Sequence, residues 1–265
     1  MKKIVVISVL LVLGFSTLGI VVSNNARQEA ASYYNNLAAS YTVVTDSTET
    51  KNESDKKNNS SKEEEIETVE DSWKDDIRVD VEGLHQKNAE IIGWLFFENE
   101  DICYPIMYSG DNEKYLRTDC DGNKSVAGSI FVEGKNDPFF LDKHTLVYGH
   151  NMKDLGMFGK LRYYKTDKDY WKDHQYFQVV TSGAKFRYQV ISCKDVDDDA
   201  EIYRVFHENE SANFADFISK NILVGSYINS GYVYKTSDEF ITLSTCSVGD
   251  KRFIVTGVKV DAVFE

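Results

Sequence analysis

The chain has 265 residues, a formal net charge of −13, 42% hydrophobic residues and 13% aromatic residues. That composition is globular, with enough aromatic mass for a sizeable core and room for one or two domains. The acidic balance argues against a nucleic-acid partner and against a polybasic membrane-surface patch, because both need clustered cations.

From the N-terminus, Lys2 and Lys3 precede an apolar run over residues 4–22. A run of that length matches the ~20 residues that cross a bilayer core. The flanking lysines favour a cytoplasmic N-terminus, with the bulk of the chain outside. A cleaved signal peptide is the competing reading, but no A-x-A site follows and the run is long for one. The expectation is an uncleaved single-pass membrane anchor over residues 1–23. Residues 24–71 then read as an extracellular spacer. Its first part, 26–40, has helix-forming composition, and residues 45–71 are rich in Ser, Asn, Lys and Glu with almost nothing to bury. The folded domain is expected over residues 72–265.

Within that domain the predicted elements are short. Residues 79–87 suggest a helix carrying Val81 and Leu84 inward. Residues 91–97 are strand-like, and residues 102–107 read as an edge strand because of Pro105. Asp111 caps a helical turn that ends at Leu116. Residues 128–132 and 145–148 are strands. Leu155, Met157, Phe158 and Leu161 have helical spacing over 154–164. Residues 176–181 and 186–193 flank Ser182-Gly183-Ala184 as a hairpin. Residues 195–201 form an acidic turn without the glycine and distal glutamate of a calcium loop. Residues 209–221 predict a helix with Phe214, Phe217 and Ile218 on one face. Residues 240–246 and 252–260 are strands joined by a turn at 247–250. Many short strands with a few helices between them predict a mostly antiparallel β-barrel with helical insertions.

The four cysteines fit neither a C-x-x-C pair nor a zinc motif, and a core of this size needs no disulfide staples. Cys103, Cys120 and Cys193 are expected as plain buried or half-buried thiols. No metal or cofactor is implied.

Cys246 ends one strand of the last hairpin and Arg252 begins the next. His150 follows the strand at 145–148. Each has a structural reading on its own: a buried strand thiol, a hydrogen-bonded histidine, a surface arginine. Together they supply a nucleophile, a proton carrier and an oxyanion stabiliser. Lys251 points to the opposite face from Arg252 and is the poorer candidate. Ser244 shares the face of Cys246 by the period of two and is a candidate substrate contact. His85, His144, His174 and His207 have no such constellation and are expected to be structural.

The segments Tyr148-Gly149-His150-Asn151-Met152, Leu243-Ser244-Thr245-Cys246 and Arg252-Phe253-Ile254-Val255 resemble the signatures of sortases, membrane-anchored cysteine transpeptidases of Gram-positive bacteria. Asn88, Ile91, Ile92, Gly93 and Trp94, with Asp111-Asn112, Tyr115-Leu116 and Gly128 to Phe131, resemble class B in particular, as does a long helix before the final hairpin. The resemblance covers about residues 75–265 and implies a closed β-barrel of about eight strands. It implies Cys246 attacking a Thr–Xaa bond in the C-terminal sorting signal of a secreted protein, through a thioester acyl-enzyme. It implies His150 as general acid and then base, and Arg252 binding the oxyanion. The acceptor would be a peptidoglycan-precursor amine, or a pilin amine in an assembly enzyme. Some class B members carry an acid two residues after the cysteine; here that position is Val248, so no catalytic aspartate is carried over. Two alternatives stay open: an extracellular cysteine hydrolase of wall peptides, disfavoured because His150 precedes Cys246, and a non-catalytic binding domain with an inert Cys246.

Overall fold

In a computed structural model, which describes residues 2–45, 72–210, 212–225, 227–229, 231–246 and 251–264, the alternating segments become the walls of a barrel. The strands outside the barrel are β1 (Thr42–Val44), β2 (Ile77–Val79) and β9 (Tyr227–Ile228). Those that build it are β3 (Ile91–Phe97), β4 (Cys103–Met107), β5 (Ile130–Val132), β6 (His144–Gly149), β7 (Tyr176–Val180), β8 (Ala184–Asp197), β10 (Phe240–Cys246) and β11 (Lys251–Phe264). Their order is β11-β10-β6-β5-β4-β3-β7-β8, and a second pairing of β11 with β8 closes the ring. This is the expected closed, eight-stranded, mostly β architecture. Closure leaves the barrel strands no open edge. Inside, Trp94, Phe97, Phe177 and Tyr188 are almost fully buried. Phe177 stacks between Phe97 (centroids 5.0 Å apart) and Tyr188 (5.3 Å). Each such side chain contributes about 1.5–3 kcal/mol on burial.

Most pairings are antiparallel, but β4–β5 and β6–β10 are parallel. A parallel pair cannot be closed by a tight turn and needs a long crossover. The two crossovers, residues 108–129 and 150–239, therefore carry most of the non-barrel structure. The second holds a second apolar cluster, in which Phe206, Phe214, Phe217, Ile218 and Phe240 are buried together.

Several expectations need correction. β4 is not an edge strand, because it pairs with both β3 and β5. Pro105 is tolerated because the β5 ladder begins only at Ile106, so no donor is needed from residue 105 on that side. The helix expected over 154–164 starts later, as a 3-10 turn at Gly159–Arg162 running into a helical turn at Tyr163–Thr166. Leu155 and Met157 have φ of 69° and 51°, in the left-handed region that ends a helical run. The helix expected over 209–221 begins at Phe214, after Asn213 at φ 65°, and continues as a π-turn through Ile222. It is therefore short, and the long helix before the hairpin is not found among the described residues. Asp195, Val196 and Asp197 belong to β8 rather than to an acidic turn.

The N-terminal region forms one helix, α1 (Lys2–Tyr41). Among the described residues no helix is long and apolar enough to cross a membrane. The side chains of the run expected to do so lie, through residue 20, outside the described residues. The C-terminal part of α1 packs on the barrel, with Tyr34 and Leu37 buried. β1 pairs with β2, and the Thr45 N–H donates to the Asp76 carbonyl at 2.9 Å. Residues 24–45, expected as a spacer, are thus in part built into the domain. The polar stretch over residues 46–71 lies outside the described residues.

Candidate active site

Parallel pairing aligns the C-terminal ends of β6 and β10. Their register sets Ser244 beside Tyr148 and Thr245 beside Gly149. Cys246 and His150 are the next residues along these neighbouring strands, which run about 4.8 Å apart. On its other side Cys246 is the cross-strand partner of Arg252. The backbone thus brings all three candidates to one end of the barrel, with Cys246 between the other two. The side chain of Cys246 and the turn at 247–250 lie outside the described residues.

A cleft of about 260 Å³ opens at this end. Its walls include His150, Arg252 and Ser244, together with Asn112, Tyr148 and Tyr203. Arg252 is half-buried there, while Lys251 is exposed and paired with Asp197 outside the cleft.

His150 is held from both sides. Its Nε2 donates to the Leu116 carbonyl at 2.6 Å. A carbonyl only accepts, so Nε2 carries a proton and Nδ1 is the nitrogen left to exchange one. Burial pulls the imidazole below its ordinary range; the Leu116 bond opposes this, and the charges of Arg117 and Arg252 add to it. The residue before it has to be glycine: a Cβ on Gly149 would lie 2.5 Å from Ile130 Cδ1 and 2.7 Å from the Phe158 ring. After it, the His150 carbonyl accepts from Phe158 N at 3.0 Å. Arg162 clamps the same loop by donating to Asn151 Oδ1 at 2.5 Å and to the Met152 carbonyl at 2.7 Å. His150 therefore sits at the start of a braced loop.

Another part of the cleft wall is built on a buried carboxylate. Glu133 Oε2 accepts from Tyr148 Oη at 2.9 Å and from Asn112 Nδ2 at 2.6 Å. Asn112 Oδ1 in turn accepts from Gly134 N at 2.8 Å. Burial first and the Glu133 charge second hold the Tyr148 hydroxyl in its protonated form. Ser244 Oγ lies 2.9 Å from the Tyr203 hydroxyl, and the Tyr203 ring stacks on Tyr148 with centroids 6.3 Å apart. Sequence reasoning gave Glu133 and Tyr203 no role. Tyr148 was accessible to the alternation argument used for Ser244, since it stands two residues before His150. Tyr203 arrives from the second crossover, and nothing local in the sequence signals that.

The remaining histidines are away from the cleft. His144 is fully buried: Nδ1 donates to the Arg204 carbonyl at 3.1 Å, and Nε2 accepts from Thr242 Oγ1 at 2.8 Å. His85 and His174 bond to backbone carbonyls, and His207 to Asp142. Cys120 and Cys193 are buried and Cys103 half-buried, and burial pushes the Cys120 thiol up to about 12. They have the character of inert core thiols. Among the described residues no group of His, Cys, Asp and Glu is arranged to hold a metal.

Comparison with known proteins agrees with this architecture. The sortase-domain family model matches residues 99–260. Sortase B of Listeria monocytogenes is 35% identical over 172 residues, covering 64% of this chain and 68% of that protein. Sortase B of Staphylococcus aureus is 28% identical over 183 residues, covering 68% and 74%. The crystal structure of sortase B from B. anthracis in complex with AAEK1 is 28% identical and superposes with a TM-score of 0.61, covering 68% of this chain and 83% of that one. The chain belongs to the sortase family of cysteine transpeptidases, in its class B.

Proposed function

We propose that Cys246, His150 and Arg252 carry out the transpeptidation. Cys246 gives its thiol proton to His150 Nδ1 and attacks the carbonyl carbon of a Thr–Xaa bond in a C-terminal sorting signal. The carbonyl electrons move onto oxygen, and the Arg252 guanidinium stabilises the oxyanion. His150 delivers a proton to the leaving amine, and a thioester remains on Cys246. An incoming amine then attacks the thioester, His150 takes its proton, and the thiolate leaves. The net result moves a secreted protein onto a cell-wall amine. The observation that supports this reading is the register, in which Cys246 at the end of β10 lies between His150, just past the end of β6, and Arg252 on β11.

The hydrolase alternative shares the first step and differs only in the acceptor. Ser244, held against Tyr203 in the cleft wall, is a candidate substrate contact. The apolar run at the N-terminus would anchor the enzyme in the cell membrane with the barrel outside. Incubating the chain with candidate sorting peptides, with and without an amine, tests the reaction by mass spectrometry. Amine-joined product that disappears in Cys246→Ala supports transpeptidation. Turnover that survives Cys246→Ala refutes the assignment, and hydrolysis that ignores the amine favours the alternative.

A further inference from the structure

We propose that Tyr34, on the N-terminal helix, is a positioning residue for His150. The inference rests on the reading of His150 as proton carrier. It starts from a burial that the spacer reading does not explain: Tyr34 is only 3% exposed, though it stands far from the barrel in sequence.

Two lines of contact lead from its ring to the imidazole. The first runs through the cleft wall. The Tyr34 hydroxyl donates to the Gly128 carbonyl at 2.6 Å and lies 3.0 Å from Ser129 Oγ, and Ser129 lines the cleft. Ser129 N donates to the Tyr115 carbonyl at 2.9 Å. Gly128 lies so close to the next peptide that a Cβ there would be 2.7 Å from the Leu116 carbonyl oxygen. That oxygen is the one that holds His150 Nε2. The second line runs through the loop after His150. The Tyr34 ring meets Tyr104 edge-on, with centroids 5.6 Å apart. Tyr104 Oη accepts from Met157 N at 3.0 Å. Met157 forms a bridge with Asn151, and its neighbour Phe158 donates to the His150 carbonyl.

Tyr34 therefore holds Gly128, which packs on the carbonyl that fixes the imidazole, and Tyr104, which bonds the loop that carries its backbone. Burial keeps the Tyr34 hydroxyl protonated, so it is a permanent donor to Gly128. Small displacements of a reacting group cost large factors in rate, up to about 10²-fold for ~1 Å. A helix docked behind the wall is a means of limiting such displacement. Tyr34 touches no reacting atom, so its effect is on the placement of His150.

The test uses the full chain with Tyr34→Phe, which keeps the ring and removes the hydroxyl, and Tyr104→Phe, which cuts only the loop line. Turnover is measured against peptide concentration, and the His150 ring is titrated by NMR. The expected result for Tyr34→Phe is a kcat lower by roughly five- to tenfold with KM little changed. The His150 titration should move upward, toward the ordinary histidine range, as the ring becomes better hydrated. Tyr104→Phe should move both readouts in the same direction and by less. An unchanged kcat, or a lower kcat with an unmoved His150 titration in both variants, overturns the inference. His150→Ala in the same assay keeps the two readings separable: full turnover there would refute the site assignment itself, whatever Tyr34 does.

Discussion

Acidification should weaken this fold before its carboxylates begin to titrate, and His144 is the reason. Its imidazole is fully buried at the start of β6, with the Arg204 carbonyl on one nitrogen and the Thr242 hydroxyl on the other. Burial lowers its pKa from 6.5 to about 4; the Arg204 bond and Asp142 act in the opposite direction. A depressed histidine means the folded state binds fewer protons than the unfolded one. Its stabilising contribution is complete above pH 6.5 and is lost as pH falls toward 4. Linkage puts the loss at about 2 kcal/mol by pH 5 and about 3 kcal/mol by pH 4. Glu90, Glu100 and Asp111, whose pKa values are also lowered, start from 4.5 or below. Their contribution therefore belongs to a more acid window, and Asp76, which burial raises, acts in the opposite sense, so a loss of stability between pH 6.5 and 5 is carried by the histidines. Urea unfolding of the full chain, followed by the fluorescence of buried Trp73 and Trp94, measures the slope. His144→Gln should be less stable at pH 7 by about 1–3 kcal/mol, the usual cost of disturbing buried hydrogen bonds. It should also lose most of the slope between pH 6.5 and 5, leaving the part due to His150, which is lowered in the same sense. Equal slopes in the two proteins would refute the argument.

Gly149→Ala should lower stability by about 1–3 kcal/mol through overpacking against Ile130 and Phe158. It should also cut turnover by more than the loss of folded protein, read from parallel melting and rate measurements. Glu133→Leu removes the acceptor shared by Tyr148 and Asn112, and should raise KM about tenfold by leaving those donors unpaired in the cleft wall. Peptide kinetics that match the unsubstituted chain would count against a role for that wall. Arg252→Lys should lose at least roughly tenfold in kcat, because an ammonium does not reproduce the planar guanidinium. Lys251→Ala should leave turnover unchanged, since that side chain is exposed and paired with Asp197.

Strand positions were legible because alternation is a local signal. The hairpin at 176–193, the 3-10 turn capped by Asp111 and the β10–β11 pair all follow from residues within a few positions of one another. The misread segments failed where tertiary contact overrode local pattern. Leu155 and Met157 have helical spacing, yet the loop bends through left-handed backbone, pairs Met157 with Asn151 and bonds Phe158 N to the His150 carbonyl. Asn213, similarly, delays the helix to Phe214. The burial of Tyr34 had no local signal either, because its partners Tyr104, Gly128 and Ser129 lie far along the chain.

The candidate site divides along the same line. Cys246 and Arg252 are cross-strand partners only six positions apart in sequence, so their proximity could be read from the hairpin alone. His150 joins them only because β6 and β10 run parallel, and a parallel pair leaves no turn signature in the sequence. The alternation of β6 is equally compatible with either neighbour direction. Had the pair been antiparallel, the end of β6 would have met the start of β10, at Phe240, and the imidazole would have been a strand length from Cys246. The long crossover over residues 150–239 is what makes the parallel arrangement possible, and it is also the segment that delivers Tyr203 to the cleft. One connection therefore fixes the direction of the strand pair and supplies part of the wall. That explains why the pairing of Cys246 with Arg252 was readable from their neighbours, whereas the place of His150 beside them required the fold.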